Sequence, residues 1–152
     1  MALCLRPGLL LSQENRKVES RVRGMRTEQE EANIRLVERI YEEVLGPIDS
    51  QAVDGLFAPG YIQHNPGIPT GAMALKDMLD RAKAKYPNAV HIVKRMMADG
   101  DLVMAHVHVI FEPGSPGSAV VDIFRIENGL IAEHWDVAMP VNTKPANANG
   151  MF

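Results

Sequence analysis

Residues 119–138 read AVVDIFRIENGLIAEHWDVA, two arms rich in Val, Ile and Phe on either side of Asn128-Gly129. Asn-Gly tolerates the positive φ of a tight reversal, so the segment predicts a β-hairpin. It also sets Asp122, His134 and Asp136 among apolar partners, where chemistry would sit. Two registers are open. With Asn128 and Gly129 alone in the turn, Glu127 pairs with Leu130, Asp122 lies opposite Trp135, and His134 and Asp136 fall behind the sheet. With Glu127, Asn128 and Gly129 as a three-residue loop, Ile126 pairs with Leu130 and Asp122 faces His134. The second register is preferred. It gathers Asp122, Phe124, His134 and Asp136 on one face and leaves Arg125 near Glu133 on the other, where opposite charges attract.

Outward from this hairpin, residues 90–98 and 101–111 flank Asp99-Gly100 and predict a second strand pair, joined to the first by the loop EPGSPGS. Helices come before the strands. Thr27-Glu28-Gln29-Glu30 has the capping-box pattern. Behind it Ile34, Val37, Ile40, Tyr41, Val44 and Leu45 recur at spacings of three and four, which predicts a helix over 27–45 stopped by Gly46-Pro47. A shorter helical piece is expected over 50–57, then an irregular segment, YIQHNPGIPTG, too rich in Pro and Gly for regular structure. A third helix spans 71–85, with Met73, Leu75, Met78, Leu79 and Ala82 facing inward. Helices first and an antiparallel meander afterwards imply an α+β domain in which a curved sheet folds over the helices. That domain covers residues 25–152. Residues 1–24 carry no apolar stripe long enough to bury and are expected to be a flexible extension, and the tail NTKPANANGMF is expected to be irregular.

Composition narrows the function classes. The 152 residues suit one domain. Sixteen basic and nineteen acidic side chains give a formal charge of −3. The basic ones are spread out rather than clustered with aromatics, which argues against nucleic acid as a partner. The lone cysteine, Cys4, gives no sign of an oxidising compartment, so a cytoplasmic location is the default. No apolar run approaches membrane-spanning length, and the leading MALCLRPGLLLSQ is broken by Arg6 and Pro7 where a signal peptide would be most hydrophobic.

His106 and His108 stand two apart in a strand and so share a face. With Asp122 on the neighbouring strand they could form an acid–base site, a metal site or a structural hydrogen-bonded network. The metal alternative has a pattern behind it, since Gly100, His106, His108 and Glu112 follow the spacing of the first cupin motif. The match is incomplete: Ala119 stands where that motif has glycine, and no second motif follows. His64 lies in a loop with Tyr61, Asn65 and Pro66, polar groups on a backbone that Pro66 restrains, and these are candidate pocket residues. His91 is given no role. Trp135, the only tryptophan, most simply packs the sheet or an oligomer interface, and is also counted among the pocket candidates. No phosphate-binding Gly-rich loop, nucleophile elbow or paired CxxC is present.

The segments YIQHNPG, GDLVMAHVHV, VVDIFRIENGLIAEHWDV and NANGMF together resemble the SnoaL-like polyketide cyclases, and more narrowly their aldol-condensing group, within the nuclear transport factor two-like superfamily. The resemblance covers about residues 27–152. It implies a cone-shaped α+β barrel, a cavity between sheet and helices, and a homodimer through the sheet. It further implies that Asp122 is the acid–base residue, assisted by His108 or His106, in an aldol-type closure or related enolisation of a small apolar carbonyl compound, without metal or cofactor. Tyr61, His64, Asn65, Phe124, His134, Trp135 and Asp136 would then shape the substrate pocket. The alternatives are a ligand-binding domain with no catalysis, and a cupin-like metal enzyme using His106, His108 and Glu112.

Overall fold

Thr27 caps the first helix as its sequence pattern requires. The Thr27 side chain accepts from the Glu30 backbone while Glu30 accepts from the Thr27 backbone, opening α1, Glu28–Arg39, in the computed structural model, which describes residues 26–152. The expected extension over residues 1–24 lies outside the described residues. Ile34, Leu36 and Val37 bury one stripe of α1. Asn33 donates to the Gly100 carbonyl at 3.0 Å, and the Gly100 N–H donates to Glu30 at 3.1 Å. The helix start is thereby latched to the turn of a distant hairpin.

Beyond Arg39 the helix widens into a π-helical stretch, Ile40–Leu45, with Ile40, Tyr41 and Val44 buried. Such widened turns recur at functional sites because they re-aim side chains. Here the Gly46 N–H bonds to the Tyr41 carbonyl at 2.8 Å. A Cβ on Gly46 would stand 2.6 Å from that oxygen, so only glycine closes the turn.

The region 50–63 departs from expectation. Only a short 3₁₀ turn, Gln51–Val53, is helical, and β1, Phe57–Gln63, is a strand where helix and irregular chain were expected. β1 sits at the sheet edge, where Pro59 needs no ladder partner, and its pairing is irregular between Phe57 and Ile62. The break spoils the period-two alternation that would otherwise signal a strand. α2, Ala72–Lys85, matches the expected third helix and buries Leu75 and Leu79. Met73 does not face inward; it is 71% exposed.

Four further strands follow: β2, Val90–Asp99; β3, Leu102–Ile110; β4, Ser118–Glu127; and β5, Leu130–Pro140. With β1 they form one sheet in the order β1-β5-β4-β3-β2. β1 runs parallel to β5 and the other pairs are antiparallel, so the sheet is mixed rather than wholly antiparallel. It does not close: β1 and β2 are its two edges. The helices pack on one face over Val103, Ala105, Val107, Phe124 and Ile131, giving the expected α+β architecture. No described helix is long and apolar enough to cross a membrane.

The β4–β5 register matches neither alternative read from the sequence. Asn128 and Gly129 both have positive φ, 53° and 75°, and make a two-residue turn with Glu127 opposite Leu130. A bulge at Ala132 then shifts the ladder by one residue, so that Arg125 pairs with Glu133, Phe124 with His134, and Asp122 with Asp136. The extra residue restores the preferred facing set through a different device. β2 carries a comparable irregularity between Val93 and Arg95.

Candidate functional site

Cross-strand partners share a face of a sheet. Asp122 and Asp136 therefore project together toward the helices, and His134 lies beside them opposite Phe124. Gln63, on β1, pairs with His134 and brings a primary amide to the same face. Tyr41 reaches in from the widened turn of α1, and Asn65 from the loop after β1. The site is thus assembled from two edges of chain far apart in sequence.

Its hydrogen bonds form a connected network. Asp122, 8% exposed, accepts from the Tyr41 hydroxyl at 2.5 Å, and its other oxygen lies 3.1 Å from His134 Nε2. His134 Nδ1 is 3.2 Å from Gln63 Oε1. That oxygen also accepts from the Asn65 backbone N–H at 2.9 Å, which orients the Gln63 amide. His134 Nδ1 must then carry a proton. A proton on Nε2 or on the carboxyl would make the 3.1 Å contact with Asp122 a hydrogen bond. The Asn65 side chain donates to both oxygens of Asp136, at 2.8 and 2.7 Å.

The two phenols stay protonated. Burial, reinforced by the Asp122 carboxylate, pushes Tyr41 far above its ordinary range. Burial, reinforced by Asp136 and then Asp122, raises Tyr61. The Tyr61 oxygen accepts from Gln63 Nε2 at 2.9 Å, and among the described residues its own hydrogen has no acceptor. It is free to donate to a bound oxygen.

Tyr61, Gln63, Asn65, Asp122, His134 and Asp136 open onto a cavity of about 260 Å³ whose other walls, Leu75, Met78, Val120 and Phe124 among them, are apolar apart from His91. A larger hollow of about 520 Å³ lies between α1 and β2 beside Arg26, Glu38 and Lys94, but it is more open and lacks Asp122, His134 and Asp136. The smaller cavity is the functional candidate, since a few polar groups converging in an apolar hollow are what a binding site needs.

The structure sorts the expected site residues. Asp122, Tyr61, Asn65, Phe124, His134 and Asp136 line this cavity. His106 and His108 do not: β3 buries Val103, Ala105, Val107 and Val109 toward the helices, which turns both histidines to the outer face. There His108 stacks on Phe152 at 4.3 Å and lies 2.8 Å from the Pro116 carbonyl, and His106 lies 5.6 Å from the Phe152 ring. His64 and Trp135 are also outward, stacked on each other at 4.4 Å. His64 Nε2 meets Glu133 at 2.8 Å, and Arg125 meets the same carboxylate at 2.7 Å. These two bonds, His64's the larger influence, hold the Glu133 carboxyl below its ordinary range.

The cupin-like alternative fails on the same geometry. Among the described residues, the only group whose donor atoms converge closely enough for a metal is Asp122, His134 and Asp136, all within 4.8 Å. His106, His108 and Glu112 do not converge. The donors of the converging trio are engaged by Tyr41, Asn65, Gln63 and one another, which describes a hydrogen-bonded proton site.

Three residues missed in the sequence belong to the site. Tyr41 was visible only as a member of the apolar stripe. Gln63 lay in a segment read as irregular. His91 had no readable facing, yet it lines the cavity, its Nδ1 is buried without a partner, and burial lowers its proton affinity against a weaker opposing pull from Asp122.

Comparison with known proteins agrees with the architecture. Solved structures that match include a protein from Jannaschia sp. CCS1 described as a candidate SnoaL-like polyketide cyclase, 18% identical, with a TM-score of 0.64 over 74% of this chain and 89% of that one. IdmH from Streptomyces antibioticus, described as a candidate polyketide cyclase, is 20% identical, with a TM-score of 0.56 over 70% and 91% of the two chains. A candidate SnoaL-like isomerase from Agrobacterium tumefaciens is 13% identical, with a TM-score of 0.59 over 74% and 99%. At these identities the likeness shows the fold. No curated protein matches. The SnoaL-like domain family, however, matches residues 37–134, a span that runs from the buried stripe of α1 through Asp122 to His134, and the chain belongs to that family.

Proposed function

We propose that the protein is a cofactor-independent enzyme of the cyclase and isomerase kind, using Asp122 as a general base on a small carbonyl compound in the cavity beneath the sheet. The observation that carries this reading is the Asp122 carboxylate itself, 8% exposed in a mainly apolar hollow and 3.1 Å from the His134 imidazole. Carbon between two carbonyls is acidic enough for a positioned carboxylate to deprotonate it, and the enolate that forms needs only hydrogen-bond donors. The free Tyr61 hydroxyl is one such donor, and a protonated His134 is another. His134 takes the assisting role that the resemblance placed on His106 or His108. In an aldol-type closure the enolate carbon would attack a second carbonyl, and the proton held between Asp122 and His134 would pass to the new alkoxide.

A ligand-binding domain without catalysis is favoured by one observation: both Asp122 oxygens already accept hydrogen bonds from protein groups, so the carboxylate is satisfied without substrate. The two readings separate in one experiment. With 2,4-pentanedione as probe, wild-type protein is expected to speed deuterium exchange at the central carbon. Asp122→Asn should keep affinity within about threefold and lose at least ~100-fold in exchange rate, the scale of a general base. Binding without exchange in the wild type would select the binding domain. Unchanged exchange in the variant would pass the base to Asp136.

The same reading includes a homodimer through the outer face of the sheet, supported by the apolar side chains exposed there, Ile62, Met97, Val137 and Met139.

A further inference from the structure

Away from the polar end of the cavity lies a second hollow of about 140 Å³, lined almost wholly by apolar side chains that include Ile48, Leu79, Ala82 and Ala89. The two hollows share four walls, Leu45, Met78, His91 and Phe111. His91 is the only polar side chain of the four. It comes from β2, opposite Val109, and no described side chain or backbone group bonds to its ring. A buried polar atom without a partner is uncommon, and such an atom in a cavity wall points to a ligand that completes it.

We infer that the substrate is a 1,3-dicarbonyl compound with an aliphatic tail of about four or five carbons, its acidic carbon at Asp122, its tail in the apolar hollow and its nearer carbonyl oxygen hydrogen-bonded by His91. The tail length follows from volume: a methylene takes about the 30 Å³ of a water molecule, and the hollow holds about four or five of them. The other carbonyl falls to Tyr61. The dicarbonyl would thus be gripped at both oxygens, with the carbon between them presented to the base. Neutral imidazole suits the shared wall, since it donates a hydrogen bond without bringing a charge among apolar side chains, and burial lowers the proton affinity of His91.

The inference rests on the acid–base reading for the identity of the head group, and calorimetry with a graded series of probes separates the two. Across 2,4-pentanedione, 2,4-heptanedione, 2,4-nonanedione and 2,4-tridecanedione, wild-type affinity is expected to rise about three- to fourfold per added methylene, until the hollow is full, and then to level or fall. Ala82→Phe, which fills the hollow, should collapse the gain from pentanedione to nonanedione to less than twofold. His91→Phe keeps the ring and removes the nitrogens. It should cut the preference for 2,4-nonanedione over 2-nonanone at least fivefold, while His91→Gln, which keeps a donor, should retain most of it. Chain-length dependence with no deuterium exchange would leave the apolar tail site and the His91 contact standing and remove the acid–base reading, and with it the acidic carbon at Asp122. Exchange with a flat chain-length series would overturn the inference alone, as would an unchanged preference in His91→Phe. If His91→Phe does not fold, the wild-type series and Ala82→Phe decide.

Discussion

At the residue scale the candidate site is built from side chains that orient one another. Asp122 has a defined direction only because Tyr41 and His134 hold its two oxygens, and His134 has a defined tautomer only because Gln63 accepts from it. His91 is the exception, half-buried with its Nδ1 buried and without a partner, and pH exposes it. Burial lowers its proton affinity below the ordinary 6.5, so an unfolded chain takes up this proton before the folded one does. The stability linked to His91 is therefore fully present above about pH 6.5 and is lost as pH falls from there toward the lowered folded value. Urea unfolding of wild type and His91→Phe between pH 8 and pH 5 should show the wild type losing more stability on acidification. Parallel losses would mean that His91 is protonated equally in both states. The placement of Asp122 among apolar side chains was legible in the sequence, because it stands between Val121 and Ile123 in a hairpin arm. His91 was not legible, because its facing depends on the irregularity between Val93 and Arg95.

At the scale of elements, two local irregularities place the chemistry. The first is the bulge at Ala132. Without it, the two-residue turn at Asn128-Gly129 would carry Trp135 inward and His134 and Asp136 out, since a one-residue slip exchanges the faces of a strand. Deleting Ala132 should therefore cost more than about 4 kcal/mol in urea unfolding, the range reserved for wholesale disruption of a core. A near-native midpoint would show that β5 takes its register from elsewhere. The second is the π-helical turn that aims Tyr41 at Asp122. On helix propensity alone Gly46→Ala would stabilise by up to ~1 kcal/mol. Because the new Cβ would meet the Tyr41 carbonyl at 2.6 Å, the expected sign is the opposite, a loss of roughly 1–3 kcal/mol from overpacking. A raised melting temperature would refute the assignment. Neither device is written in residue types. Ala132 is an ordinary strand alanine, and IYEEVL reads as plain α-helix.

At the scale of the whole molecule, the sheet has two unlike faces. The inner face holds the core and the cavity. The outer face exposes Val137 at 73%, Met139 at 58% and Met97 at 52%, side chains a lone domain would leave against water. If a homodimer forms there, sedimentation should give twice the 16.8 kDa chain mass, and Val137→Asp together with Met139→Asp should return the monomer without unfolding it. A monomeric wild type would instead leave that face for another partner. The sequence alone determined the α+β class, the two main helices, both hairpins and the acid at their centre, because capping boxes, apolar periodicity and Asn-Gly turns act over a few residues. The alternation of Val103, Ala105, Val107 and Val109 also held the facing of β3, since apolar side chains turn inward and leave His106 and His108 outside. What only the tertiary structure decided was which histidine meets Asp122. That choice follows from a bulge, an edge strand laid parallel to β5 and a widened helical turn, each stabilised by contacts between segments far apart in the chain, so no local pattern of residues encodes it.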